Sequence, residues 1–160
     1  MLPLHTILHP TDFSERSGFA LELACGLARD YGARLVLLHV AAQPVIAYGE
    51  GVVPPQEDYE DYEAELREKL HRLEVPDVRI RVERRLKEGD PVAEILGVAQ
   101  ETGADLIVMG THGRTGLGRL LMGSVAEEVV RQAACPVLTV RAPFPEAVPA
   151  DEALAEPARA

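Results

Sequence analysis

Asp105-Leu-Ile-Val-Met109 runs without pause into Gly110-Thr-His-Gly113, and nine residues later the chain reaches Gly123-Ser124 and a new amphipathic pattern. An apolar run of this length bounded by glycine reads as a buried strand, and the segment after it reads as a loop and then a helix. Strand, glycine loop, helix is the connection of a parallel α/β sheet. The loop, G-x2-G-x9-G-S, has the makings of a ligand site. Its glycines let backbone N–H groups approach an anion closely, and the helix opening at Ser124 adds uncommitted amides and the positive end of its dipole. From Gly110 to Ser124 it carries Arg114, Arg119 and no acid, in a chain of formal net charge -10. We read it as a triphosphate cradle. The alternative is a plain glycine connection with Ser124 acting only as a helix cap.

The loop matches neither of the two commonest phosphate motifs. A Walker A loop needs G-x4-G-K-[ST], and the lysines are Lys69 and Lys87, both far away. A dinucleotide fingerprint needs a third glycine that Gly116-Leu-Gly118-Arg-Leu-Leu121 lacks. The H-x-G-H pattern of nucleotidyl transferases fails as well, since Arg114 follows His112-Gly113.

Working outward, strand and helix alternate throughout. Leu4–Leu8 reads as a short strand, ended by Pro10-Thr-Asp12-Phe-Ser14, with Ser14 or Asp12 as cap of a first helix. Ala20, Leu23, Ala24, Leu27 and Tyr31 give that helix its inward stripe, and Gly32 stops it. Arg34–Val40 is nearly all apolar, as a central parallel strand covered on both faces should be. Residues 41–55 form a long Pro/Gly-bearing connection before a second helix striped by Tyr59, Tyr62, Leu66, Leu70 and Leu73. The alternation Val78-Arg-Ile-Arg-Val82 predicts a third strand at an edge, with Arg79 and Arg81 on its wet face. Gly89 then turns the chain, Asp90-Pro91 caps and starts a third helix with Val92, Ile95, Leu96 and Ala99 inward, and Gly103 ends it. Ser124-Val-Ala-Glu127 reads as a capping box for a fourth helix with Val129, Val130 and Ala133 inward, and Pro136–Val140 as the fifth strand. The prediction is an open, doubly wound, five-stranded parallel sheet of order 3-2-1-4-5 over residues 1–141 with helices on both faces, followed by a disordered Ala/Pro/Glu tail at 142–160.

At 160 residues and 47% hydrophobic content the chain makes one sizeable core. The acid excess argues against nucleic acid or an anionic membrane as partner. No signal peptide or membrane span is visible, so the expected location is the cytoplasm. Cys25 and Cys135 sit in apolar surroundings without ligand-spaced companions and read as ordinary thiols. His5, His9 and His39, on or at the ends of apolar strands, read as structural residues.

In open α/β sheets a ligand sits beyond the carboxyl ends of the strands where their order reverses. For order 3-2-1-4-5 this lies between strands one and four, where Pro10-Thr-Asp12 would meet Met109-Gly110. Over roughly residues 2–141 the chain resembles the universal stress protein family, through Pro10-Thr-Asp12, Leu38-His-Val40, Gly89-Asp-Pro91 and Gly110-Thr-His-Gly113…Gly123-Ser124; the last is the motif of its ATP-binding branch. The resemblance implies that Gly110, Gly113, Gly123 and Ser124 hold the phosphates of ATP, that Asp12 contacts the ribose, and that Val40 contacts adenine. Pro10, Thr11, Met109, Thr111, Val125 and Ala126 would line the pocket. It also implies homodimers joined through strand 136–141, an edge without charge until Arg141. The loop lacks the lysine and the water-orienting acid of an efficient phosphoryl-transfer site, which favours binding over turnover. Mg²⁺ would enter through the nucleotide's own phosphates. The leading expectation is an ATP-binding stress-response protein with an unidentified protein client. A slow ATPase and a nucleotide-free interaction module of the same fold are the alternatives.

Overall fold

The computed structural model describes residues 3–41, 56–111 and 122–141, and of 56–59 the backbone alone. The expectations for loop 42–55, for His112 and Gly113 to Leu121, and for the tail 142–160 lie outside the described residues. Along the described chain run β1 (Thr6–Pro10), α1 (Glu15–Tyr31), β2 (Arg34–Ala41), α2 (Gln56–Arg72), β3 (Val82–Glu88), α3 (Pro91–Thr102), β4 (Leu106–Gly110), α4 (Ser124–Gln132) and β5 (Val137–Val140). The strands form one parallel sheet of order β3-β2-β1-β4-β5, the expected doubly wound arrangement.

Strand periodicity divides the apolar residues between two cores. Ile7, Leu35, Leu37 and Val108 face α1, whose Ala20, Ala24, Cys25 and Ala28 bring the helix close; Leu8, Val36, Leu38 and Ile107 face α3 and α4 through Ile95, Val98, Ala126 and Val129. Leu35 to Leu38 are all fully buried, which is why β2 shows no polar alternation. The helix boundaries follow their caps. Ser14 accepts the Ser17 N–H, Asp90 accepts that of Ala93 ahead of Pro91, and Gly32 and Gly103 end α1 and α3 in the left-handed conformation. Both thiols are free, Cys25 buried and Cys135 half-buried.

Several boundaries differ from the sequence reading. β1 starts and ends two residues later than Leu4–Leu8, because the Asp105 carboxylate takes the His5 and Thr6 N–H groups at 2.8 and 2.9 Å and holds the entry to the strand. β3 is Val82–Glu88, not 78–82. Residues 77–80 are instead a turn, in which Asp77 accepts the Arg79 N–H and guanidinium and its carbonyl accepts the Ile80 N–H. Arg79 therefore guards no strand face. β3 carries its own charges: Arg84 donates to the Leu70 and Leu73 carbonyls at the end of α2, while Glu83 and Arg85 pair with Arg34 and Glu101. It is the sheet edge, as expected. In α4 the capping box does not form; Gly123 is the N-cap, and Ser124 is the first helical residue. Tyr31, Tyr62 and Val130, expected inward, are exposed, whereas Leu66 and Leu70 are buried.

Candidate functional site

At the carboxyl ends of β1 and β4, where the strand order reverses, lies a cavity of about 280 Å³. It is lined by the predicted Pro10, Thr11, Asp12, Val40, Met109, Gly110, Thr111, Gly123, Ser124, Val125 and Ala126. Gly113, the remaining predicted residue, lies outside the described residues. The cavity also takes in Ser17, Leu38, His39, Pro91 and Ile95, which the sequence reading does not assign to a site. In the sequence Pro91 signals a helix start and belongs to the Gly89-Asp-Pro91 stretch of the family resemblance, and the same position brings the first turn of α3 to the cavity. His39 reads there as structural, and its place one residue before Val40 on β2 is the available signal.

Two walls meet here because both strands end in bends fixed by backbone hydrogen bonds. On the β1 side the Thr11 N–H donates to the Leu38 carbonyl at 2.8 Å. On the β4 side the Thr111 N–H donates to the Val140 carbonyl at 3.1 Å, and the Gly123 N–H closes on the Thr111 carbonyl at 2.6 Å. That last bond sets the amino end of α4 against the cavity, and no side chain among the described residues caps its first turn. An anion placed there would meet helix amides and the positive end of the dipole.

The acid on the opposite wall is only partly used. Asp12 Oδ1 accepts from the Ser14 N–H at 3.0 Å and the Ser14 hydroxyl at 2.6 Å, so Asp12 braces the α1 cap without being the cap. Its Oδ2 is buried without a partner among the described residues. A buried carboxylate oxygen left so is costly in a folded chain and calls for a donor that is not among the described residues. Phe13, the next residue, adopts a left-handed φ of 61°, held by its N–H bond to Thr11 Oγ1 at 3.1 Å and by its ring against His39, centroids 4.3 Å apart.

Beneath this turn lies a buried polar chain. His9 Nδ1 donates to the Val108 carbonyl at 2.8 Å, and its Nε2 is 3.4 Å from Ser17 Oγ, which is 3.0 Å from Thr11 Oγ1. Burial pushes the His9 pKa down to about 4, opposed by its bond to Val108 and by the charge of Asp12. His39 Nδ1 donates to the Thr11 carbonyl at 2.7 Å. Asp12 is the one acidic or basic side chain among the described residues lining the cavity, histidine aside. None of the described residues form a cluster of three or more metal-ligating side chains.

An open parallel sheet with its crevice at the reversal of strand order, flanked by an acid and a glycine-led helix, is the layout in which doubly wound α/β domains hold small ligands. Comparison with known proteins makes the class specific: the universal stress protein family matches residues 3–141, and the chain belongs to that family. It is 34% identical over 151 residues to universal stress protein MJ0577 of Methanocaldococcus jannaschii, covering 84% of this chain and 93% of that protein. The solved structure of MJ0577 superposes with a TM-score of 0.67 at 32% identity, covering 90% of this chain and all of that one. A universal stress protein family structure from Burkholderia pseudomallei superposes with a TM-score of 0.68 at 31% identity, covering 88% and 98% of the two chains. A third, a universal stress protein in complex with cAMP, has a TM-score of 0.63 at 26% identity over 88% of this chain and 98% of that one.

Proposed function

We propose that this chain is an ATP-binding regulatory protein of the cytoplasmic stress response, with the nucleotide held in the crevice between β1 and β4. The observation that carries the reading is the convergence on one cavity of Asp12, whose buried Oδ2 has no partner among the described residues, and Gly110, Gly123 and Ser124 at the amino end of α4. In this reading Gly110, Gly113, Gly123 and Ser124 cradle the phosphates, Asp12 takes a ribose hydroxyl, and the Val40 backbone meets the adenine edge. Pro10, Thr11, Met109, Thr111, Val125 and Ala126 complete the walls. The relative crystallised with cAMP supports an adenine nucleotide as the ligand. Mg²⁺ would arrive with the phosphates. Among the described residues no helix is long and apolar enough to cross a membrane.

Mass spectrometry of what the purified protein releases on denaturation tests the reading directly, and an adenine nucleotide is the expected product. Calorimetric titration should show ATP binding more tightly than GTP, because a backbone reader at Val40 meets a donor beside an acceptor on adenine and the reverse order on guanine. Equal affinity for both would remove the adenine assignment and leave only a phosphate site. Turnover of labelled ATP should be slow or absent, since the described cavity wall holds no lysine and no second acid.

We further propose that the protein works as a homodimer joined by antiparallel pairing of β5, from which loop changes on nucleotide binding would reach a protein client. β5 is an edge strand of four residues with Leu138 exposed. An apolar sheet edge pairs readily with a second copy. Light scattering should report about twice the 17.4 kDa chain mass, and Leu138→Glu should shift the species to monomer. A wild-type monomer at micromolar concentration would refute the assembly.

A further inference from the structure

We propose that Ser17 and His9 are positioning residues that turn the Thr11 hydroxyl into a hydrogen-bond acceptor toward the cavity, so that Thr11 Oγ1 and Asp12 Oδ2 together read the two hydroxyl donors of a ribose. This rests on the adenine-nucleotide reading above.

The hydrogens of the buried chain can be placed one by one. His9 is fully buried, and its Nδ1 lies 2.8 Å from the Val108 carbonyl oxygen, which can only accept, so Nδ1 carries the ring hydrogen. Burial keeps the ring neutral, which leaves Nε2 as a bare acceptor whose neighbouring donor is Ser17 Oγ at 3.4 Å. Ser17 Oγ is in turn 3.0 Å from Thr11 Oγ1. Each hydroxyl has one hydrogen, so the chain runs in one of two directions. Running from Thr11 through Ser17 to His9, it supplies Nε2 with a donor, while Thr11 Oγ1 accepts the Phe13 N–H at 3.1 Å. Running the other way, it strands Nε2 without a donor in the core. An unmet buried acceptor is the costlier state, so the first direction holds. The Thr11 hydrogen then points inward, and its remaining lone pair is an acceptor at the cavity wall.

The elements packed on His9 leave this polarity undisturbed. From α1 and β4 it meets Ser17 and Val108, neither ionisable. The charge acting on it is Asp12, in the β1–α1 turn, and His39 on β2 donates its Nδ1 hydrogen to the Thr11 carbonyl at 2.7 Å. Thr11 and Asp12 are adjacent and both line the cavity, and paired acceptors fit a vicinal diol.

The test compares ATP with 2′-deoxyATP and 3′-deoxyATP on wild-type protein and on Ser17→Ala, by calorimetry, with the His9 ring nitrogens followed by ¹⁵N NMR. Wild type should lose about tenfold in affinity for each deoxy analogue, the effect of one hydrogen bond. In Ser17→Ala the Thr11 hydrogen is released toward the ligand, so one of the two losses should shrink to about threefold or less while the other, which belongs to Asp12, persists. The Nε2 resonance should shift as its donor disappears, an effect that mere loosening of the fold would not confine to that nitrogen. Two unchanged losses in Ser17→Ala, or a His9 proton found on Nε2, would overturn the inference while leaving the nucleotide reading intact. Absence of any ATP binding by wild type would overturn both.

Discussion

Gly123→Val is expected to weaken ATP binding by about 100-fold or more, equivalent to about 2.7 kcal/mol, while leaving the thermal unfolding transition close to that of wild type. The backbone supplies no reason for misfolding, since Gly123 has φ -61° and ψ 148°, a region valine occupies readily. The effect comes from position. Gly123 lies on the cavity wall with its N–H drawn to the Thr111 carbonyl, so a branched side chain there would intrude where phosphate must approach the start of α4. Ser124→Ala removes a hydroxyl and should cost less, about 1–3 kcal/mol for a hydrogen bond to a charged group. Calorimetric titration of the two variants decides the matter, and undiminished affinity in Gly123→Val would sink the phosphate assignment.

Acid should destabilise the protein from about pH 6.5 downward. The His9 pKa falls from an ordinary 6.5 to about 4 in the folded chain, chiefly through burial. A group whose folded pKa is depressed contributes stability that is fully present above its unfolded pKa and is lost as pH falls toward the folded one. The window is therefore pH 6.5 down to 4. Between pH 7 and 4.5 the loss should be about 2–3 kcal/mol, taking about 1.4 kcal/mol for each pH unit of that window. Asp105, whose carboxyl is held below its ordinary 3.8 by the His5 and Thr6 N–H groups, gives way only at lower pH. Urea denaturation at pH 7, 5.5 and 4.5 measures the effect. His9→Gln, which cannot gain a charge, should flatten the profile across this window whatever it does to stability at neutral pH. A wild-type profile already flat from pH 7 to 4.5 would contradict the buried neutral imidazole.

Legibility in the sequence divides along burial. β2 and β4 are covered on both faces, so their apolar runs announce them, and Ser14, Gly32, Asp90 and Gly103 mark helix ends by local chemistry alone. The topology then places Asp12 opposite Gly110 without further information. β3 escapes a periodicity reading because five of its seven residues are charged and its apolar Val82 and Leu86 stand four apart. Arg84 and Glu83 are held by α2, β2 and their neighbours, partners remote in sequence, while the more regular Val78–Val82 is bent by a turn at Asp77. Ser124 misleads for a related reason: the closure of Gly123 on Thr111, a contact across the loop, moves the cap one residue earlier. Ser17 and His39 carry no functional signal of their own because helical and strand periodicity makes them structural residues, and only the fold turns them toward the cavity. The polarity of the His9–Ser17–Thr11 chain depends on the Val108 carbonyl, 99 residues from His9.

The strand order also governs when the crevice can exist during synthesis. Asp105 fastens the entrances of β1 and β4 together across a separation of 100 residues, and opposing walls come from residues 10–17 on one side and from 109–111 and 123–126 on the other. Contacts this remote close late, because the loop entropy between them must be overcome first. A nascent chain released after α3 would carry Asp12, Thr11 and Ser17 but neither the Val108 carbonyl that orients His9 nor the opposing wall. A nucleotide bound as proposed could therefore not template the first half of the molecule on the ribosome; it could only stabilise a chain that has already emerged past α4.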